Sequence, residues 1–106
     1  MSRFELMPQA RRDLRHIDQY YAPFSKPFVR KLAGRFRKCF ARVGRSPGSG
    51  SDCGHLSAGM RSAALEGRFV VYFRRVGKVT QIVRVMDGRR NITANDFDHD
   101  PPDDAE

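Results

Sequence analysis

The sequence predicts an α+β domain in which a helical hairpin packs on a small antiparallel β-sheet. Two observations carry this. Residues 60–86 read as three successive strands with period-2 alternation, broken at Glu66-Gly67 and Val76-Gly77-Lys78 by short glycine-bearing links of the kind that join adjacent antiparallel strands. Residues 8–43 instead carry two apolar stripes at helical spacing, separated by Pro23.

Taken in order, Arg3 to Met7 alternates weakly, with Phe4 and Leu6 on one side, and reads as an added strand of the same sheet. Pro8 suits the first turn of a helix, and Ala10, Leu14, Ile17 and Tyr21 form its stripe to about Ala22. Ser25 is the expected N-cap of a second helix, whose stripe is Phe28, Leu32, Phe36, Phe40 and Val43 together with Val29, Ala33 and Cys39. Its other face carries Arg30, Lys31, Arg35, Arg37, Lys38 and Arg42. Gly44 reads as the C-terminal stop, and Gly34, costly inside a helix, as a point of close contact with the first helix. The Ser, Gly and Pro composition of 45–58 predicts a flexible surface loop.

The strands are Met60 to Leu65, Phe69 to Arg74 and Val79 to Met86. Alternation sends Val70, Tyr72 and Arg74 to one face of the middle strand and Phe69, Val71 and Phe73 to the other. In the last strand it sets Thr80, Ile82 and Arg84 opposite Val79, Gln81, Val83 and Val85. One face is then apolar, and the other mixes apolar with guanidinium groups. A length of 106 residues makes a single domain over 1–97, followed by an acidic tail over 98–106 that is expected to be disordered alone.

Charge is split along the chain. All 20 Lys and Arg lie before Asn91 against six acids, a net +14, whereas six acids crowd the last eleven residues. Such a body attracts polyanions: nucleic acid, an acidic partner protein, or its own tail. No apolar run approaches the ~20 residues that span a bilayer, and the N-terminus lacks a secretory h-region, so no membrane role and a cytoplasmic location are expected. Cys39 falls on an apolar stripe and reads as a buried free thiol. Cys53-Gly54-His55 lacks a second ligand pair, and His16, His55 and His99 have no partner at ligand spacing, so neither a metal site nor a cofactor is expected.

Gly59-Met60-Arg61, the run from Gly67 to Arg74 and the run from Ile82 to Ile92, in the order strand, helical hairpin, Gly-rich loop, β-meander, resemble the RelE/ParE superfamily of type II toxin–antitoxin toxins. The likeness covers residues 3 to about 97. It implies growth inhibition and neutralisation by a cognate antitoxin that wraps the toxin and forms a hetero-oligomer with it.

Two activities follow from the resemblance. The RelE-like branch resembles a ribosome-dependent mRNA endoribonuclease, in which cations on the sheet and an acid/base group near the chain end act on the phosphate. At the positions where that branch carries lysines this chain has Met60 and Ser62. Arg68 matches its arginine loosely, Phe97 and His99 stand in for its tyrosine, and only Arg90 matches clearly. These departures favour the ParE-like branch, which resembles inhibitors of DNA gyrase and has no catalytic constellation. A basic nucleic-acid-binding remnant of a toxin is the third reading.

Arg61, Arg68, Tyr72, Arg84, Arg89 and Arg90 are the target-binding candidates, and Leu32, Arg35, Phe36, Phe69, Val71 and Phe73 the antitoxin-binding ones. Arg89 and Arg90 have the alternative of a simple solvated pair, and three of the others have structural alternatives. Arg61 has an ion pair with Asp87 or Glu66, Tyr72 a place in the core with its hydroxyl satisfied, and Arg84 a carboxylate partner.

Overall fold

The computed structural model describes residues 3–87. Seven elements follow in order: β1 (Phe4–Leu6), α1 (Pro8–Tyr21), α2 (Lys26–Arg45), β2 (Ser51–Asp52), β3 (Arg61–Leu65), β4 (Phe69–Val76) and β5 (Val79–Asp87). The five strands form one sheet in the order β1-β5-β4-β3-β2. β1 runs parallel to β5, and every other pairing is antiparallel. The α+β architecture of a helical hairpin on a mostly antiparallel sheet is the expected one. Arg89, Arg90, Phe97, His99 and the acidic tail lie outside the described residues.

Local signals explain the helices. Pro8 occupies the first turn of α1, where its missing N–H removes no helical bond. The Ser25 hydroxyl accepts from the Phe28 N–H at 3.2 Å and caps α2, and Arg42 and Arg45 sit in the last turn, where cations complement the helix dipole. The helix face of the sheet supplies Ala63, Leu65, Phe69, Val71, Phe73, Ile82 and Val85 to the main core, met by Leu32, Phe36, Phe40 and Val43 of α2 and Ala10 of α1. The Thr80 hydroxyl donates to the Val43 carbonyl at 3.3 Å and ties α2 to β5.

Three features depart from the sequence reading. First, strict alternation fails in β5. Tyr72 pairs with Arg84 and Phe73 with Ile82, so a bulge leaves Val83 without a partner of its own. The extra residue lets Ile82 and Val85, of opposite parity, both face the helices, while Val83 and Met86 join the far side. Second, the Gly-rich stretch is not merely a surface loop: Ser51 and Asp52 pair with Ser62 and Arg61 as a fifth strand. The segment that follows lays Cys53 and Leu56 over the second face, where they pack with Met60, Tyr72, Met86, Val70 and Val83. That face, expected to mix apolar with guanidinium groups, carries a small second core.

Third, the close contact expected at Gly34 lies at Gly44 instead. A Cβ on Gly34 would meet nothing within 4 Å, whereas one on Gly44 would lie 3.1 Å from the Arg3 carbonyl oxygen and 3.3 Å from its nitrogen. Gly44 is buried inside α2, where the backbone before β1 crosses it. Gly34→Ala is therefore expected to stabilise the protein by about 1 kcal/mol through helix propensity, while Gly44→Ala lowers stability by about 1–2 kcal/mol through overpacking. Chemical denaturation of both variants checks the opposite signs.

Candidate functional site

Among the described residues, the target candidates Arg61, Arg68, Tyr72 and Arg84 do not converge on one surface. Arg61 and Arg68 stand at opposite ends of the β3–β4 ladder, since Arg61 pairs with Phe73 and Arg68 lies in the turn after the Leu65–Phe69 pair. The Arg61 guanidinium donates to the carbonyls of Ser49 at 2.8 Å and Gly50 at 3.1 Å, not to Asp87 or Glu66. It thereby fixes a turn in which Gly50 has φ +78°, and in which a Cβ would fall 2.1 Å from the Ser62 carbonyl oxygen. Arg68 is exposed, donates to the Tyr21 hydroxyl at 3.3 Å and stands 5.6 Å from the centre of that ring.

Tyr72 and Arg84 are each only 7% exposed, in line with the structural alternative that each carried beside a target contact. Tyr72 belongs to the second core under Cys53 and Met60. Arg84 is displaced by the bulge and finds a carboxylate on α1: its Nε donates to Asp13 Oδ2 at 2.8 Å and its Nη2 to Oδ1 at 3.0 Å. The same Oδ2 accepts the Val85 N–H at 2.9 Å. Asp13 thus serves the edge of β5 beyond the end of β1, whose last pair is Leu6 with Ile82.

The antitoxin candidates also divide. Phe69, Val71 and Phe73 are interior residues of the main core. Arg35 is exposed and paired with Glu66 across the turn after β3. Leu32 and Phe36, however, line an open groove of about 420 Å³ between α1 and α2, floored by Phe4 and Leu6 of β1. Leu14, Ile17, Val29, Ala33 and Phe40 complete its apolar wall, with Asp18 and Arg37 as the charged lining residues. The apolar stripes of both helices foreshadowed these residues, but as core; that the stripes are wider than the contact between the helices could not be read from spacing alone.

Burial pushes the Cys39 thiol above its ordinary range, opposed in part by the Arg42 guanidinium, so at neutral pH it is a protonated thiol and not a nucleophilic thiolate. Among the described residues, no three His, Cys, Asp or Glu side chains gather where they could hold a metal ion. No helix among them is long and apolar enough to cross a membrane.

The model of the family described as "ParE toxin of type II toxin-antitoxin system, parDE" matches residues 4–92. The chain belongs to the ParE toxin family. A solved structure entitled "Chromosomal ParDE TA system from P. aeruginosa" contains a chain 24% identical to this one, with a TM-score of 0.69 over 82% of this chain and 96% of that one. At that identity the likeness shows the fold. Curated proteins give no match. The chain is thus a ParE-type toxin of a type II toxin–antitoxin system, a family that implies an antitoxin partner. In this ParE toxin Arg61 acts as a clamp on its own 49–50 turn. Arg61→Ala is expected to speed proteolytic cleavage within residues 46–52 several-fold while leaving the α-helical circular dichroism unchanged, a comparison that limited proteolysis with mass mapping makes directly.

Proposed function

We propose that this ParE-type toxin inhibits DNA gyrase and is neutralised by an antitoxin whose amphipathic helix lays its apolar face in the groove between α1 and α2. The observation that carries the antitoxin half is the groove itself. On a body bearing a net +14, it is an open apolar trough of about 420 Å³ bounded by two helices. Helix-in-groove recognition uses anchors at i, i+3 or i+4 and i+7, a geometry suited to a trough that runs between two helices. Growth inhibition, a cytoplasmic site of action and hetero-oligomer formation with the antitoxin belong to the same reading.

The gyrase half is supported by family membership and by what stands where the RelE-like branch has its lysines. Met60 is buried in the second core at 1% exposure. The Ser62 hydroxyl accepts from the Cys53 thiol at 3.3 Å beneath the same covering segment. Cations that stabilise an RNA phosphate must reach solvent on the sheet, and here both positions lie beside the covering residues Cys53 and Leu56. Arg68 and Arg84, the remaining cations of the ribonuclease reading among the described residues, are engaged with Tyr21 and Asp13 respectively.

Two measurements test the halves separately. Purified toxin is expected to inhibit gyrase-catalysed supercoiling, with supercoiling restored by the antitoxin; unchanged supercoiling together with transcript cleavage on ribosomes would overturn the gyrase assignment. Ala33 lies in the groove wall and is itself exposed. Ala33→Asp is therefore expected to weaken antitoxin binding at least about tenfold, or ~1.4 kcal/mol, with little change in melting temperature. Titration calorimetry showing wild-type affinity for this variant would place the antitoxin elsewhere.

A further inference from the structure

A second groove, of about 500 Å³, runs between the polar face of α2 and the outer edge of β3. Arg35, Lys38, Arg42 and Arg45 line the helix side, Ala64 and Leu65 form the strand side, and Glu66 at the rim is paired with Arg35, which leaves Lys38, Arg42 and Arg45 as the cations open to a further anion. β2 pairs with only Arg61 and Ser62, so among the described residues no strand lies beside the Ala63–Leu65 part of that edge. The four cations recur at steps of three, four and three residues, along about 15 Å of helix. An anionic segment lying extended in this groove meets charge on one side and an unpaired strand edge on the other.

The geometry points to the chain's own acidic end, residues 96–106, as the intramolecular occupant of this groove. Three observations select it. Asp96, Asp98 and Asp100 alternate, so in an extended segment they share one side and span about 13 Å, comparable to the roughly 15 Å of helix over which the cations recur at steps of about 4.5–6 Å. The described chain ends at Asp87, which pairs with Phe69, which in turn pairs with Leu65 of the groove. The exit point is therefore two strand spacings, about 10 Å, from the groove. The eight residues 88–95 that precede the first of these acids span up to about 26 Å, ample for the approach. Docked there, the tail screens α2's basic face from external polyanions, independently of which cellular target the toxin inhibits.

Lys38 makes this testable in the intact protein, because of the four lysines, Lys26, Lys31, Lys38 and Lys78, it alone lines the groove. Zero-length carbodiimide coupling of the full chain at low salt, followed by mass mapping of the monomer fraction, is expected to join Lys38 to Asp96, Asp98 or Asp100 several-fold more often than the other three lysines. The yield should collapse near 1 M NaCl, where the screening length is about 3 Å, and fall in Arg45→Glu, which reverses one groove charge at an exposed position. Tail couplings spread evenly over the four lysines, couplings that persist in high salt, or no tail coupling at all would overturn the assignment. Couplings confined to the dimer fraction would overturn it too, by showing that the groove takes the tail of a second copy.

Discussion

The Asp13 carboxylate is the constraint on which the rest of the architecture depends. It accepts three hydrogen bonds, two from the Arg84 guanidinium and one from the Val85 backbone N–H, at side-chain exposures of 11% for Asp13 and 8% for Arg84. A β-strand edge that runs past its neighbour leaves a donor that must be satisfied. Here β1 ends opposite Ile82, and an acid from α1 takes over where the strand stops. Because the partner is a bidentate arginine at low exposure, losing either side removes two charge-assisted hydrogen bonds from the other where water cannot readily replace them. One residue of a helix thereby sets the helix's position against the sheet.

That anchorage explains the shape of the face above it. α1 is held at the β5 edge, while α2 is held across the sheet by Thr80 and by the close passage of the backbone at Gly44. The helices meet near their connection, where Tyr21 and Phe28 stack edge to face at 5.4 Å between ring centres. Farther along, their apolar stripes do not close on each other, and the gap between them is the groove lined by Leu14, Ile17, Leu32 and Phe36. The opposite face of the sheet is sealed by the segment after β2, with Arg61 clamping the turn before it. Apolar surface is thus left open on the helix side, while the far side is closed over Met60 and Tyr72.

Much of this was legible in the sequence, and the exceptions have common causes. The helices, their proline and serine starts, the meander and the buried Cys39 follow from local spacing and capping, which need only neighbours along the chain. The bulge at Val83 leaves no local signature, because its reason is the need to place both Ile82 and Val85 in one core. The fate of Arg84 depended on a carboxylate 71 residues away. β2 was hidden by a Ser, Gly and Pro composition that normally marks loops, although the Gly50 conformation requires glycine for a reason that only the Ser62 carbonyl supplies. Alternation put Phe69, Val71 and Phe73 on an apolar strand face but did not show what covers it, so the full burial of Val71 and Phe73 beneath the helices could not be told from an open face awaiting a partner.

The most direct test of this account is a double-mutant cycle on Asp13 and Arg84, using Asp13→Asn and Arg84→Met with stability read by chemical denaturation. If the pair is the structural anchor, each single substitution costs about 3–5 kcal/mol and the double substitution costs well below their sum. Additive losses of a few tenths of a kcal/mol would contradict it.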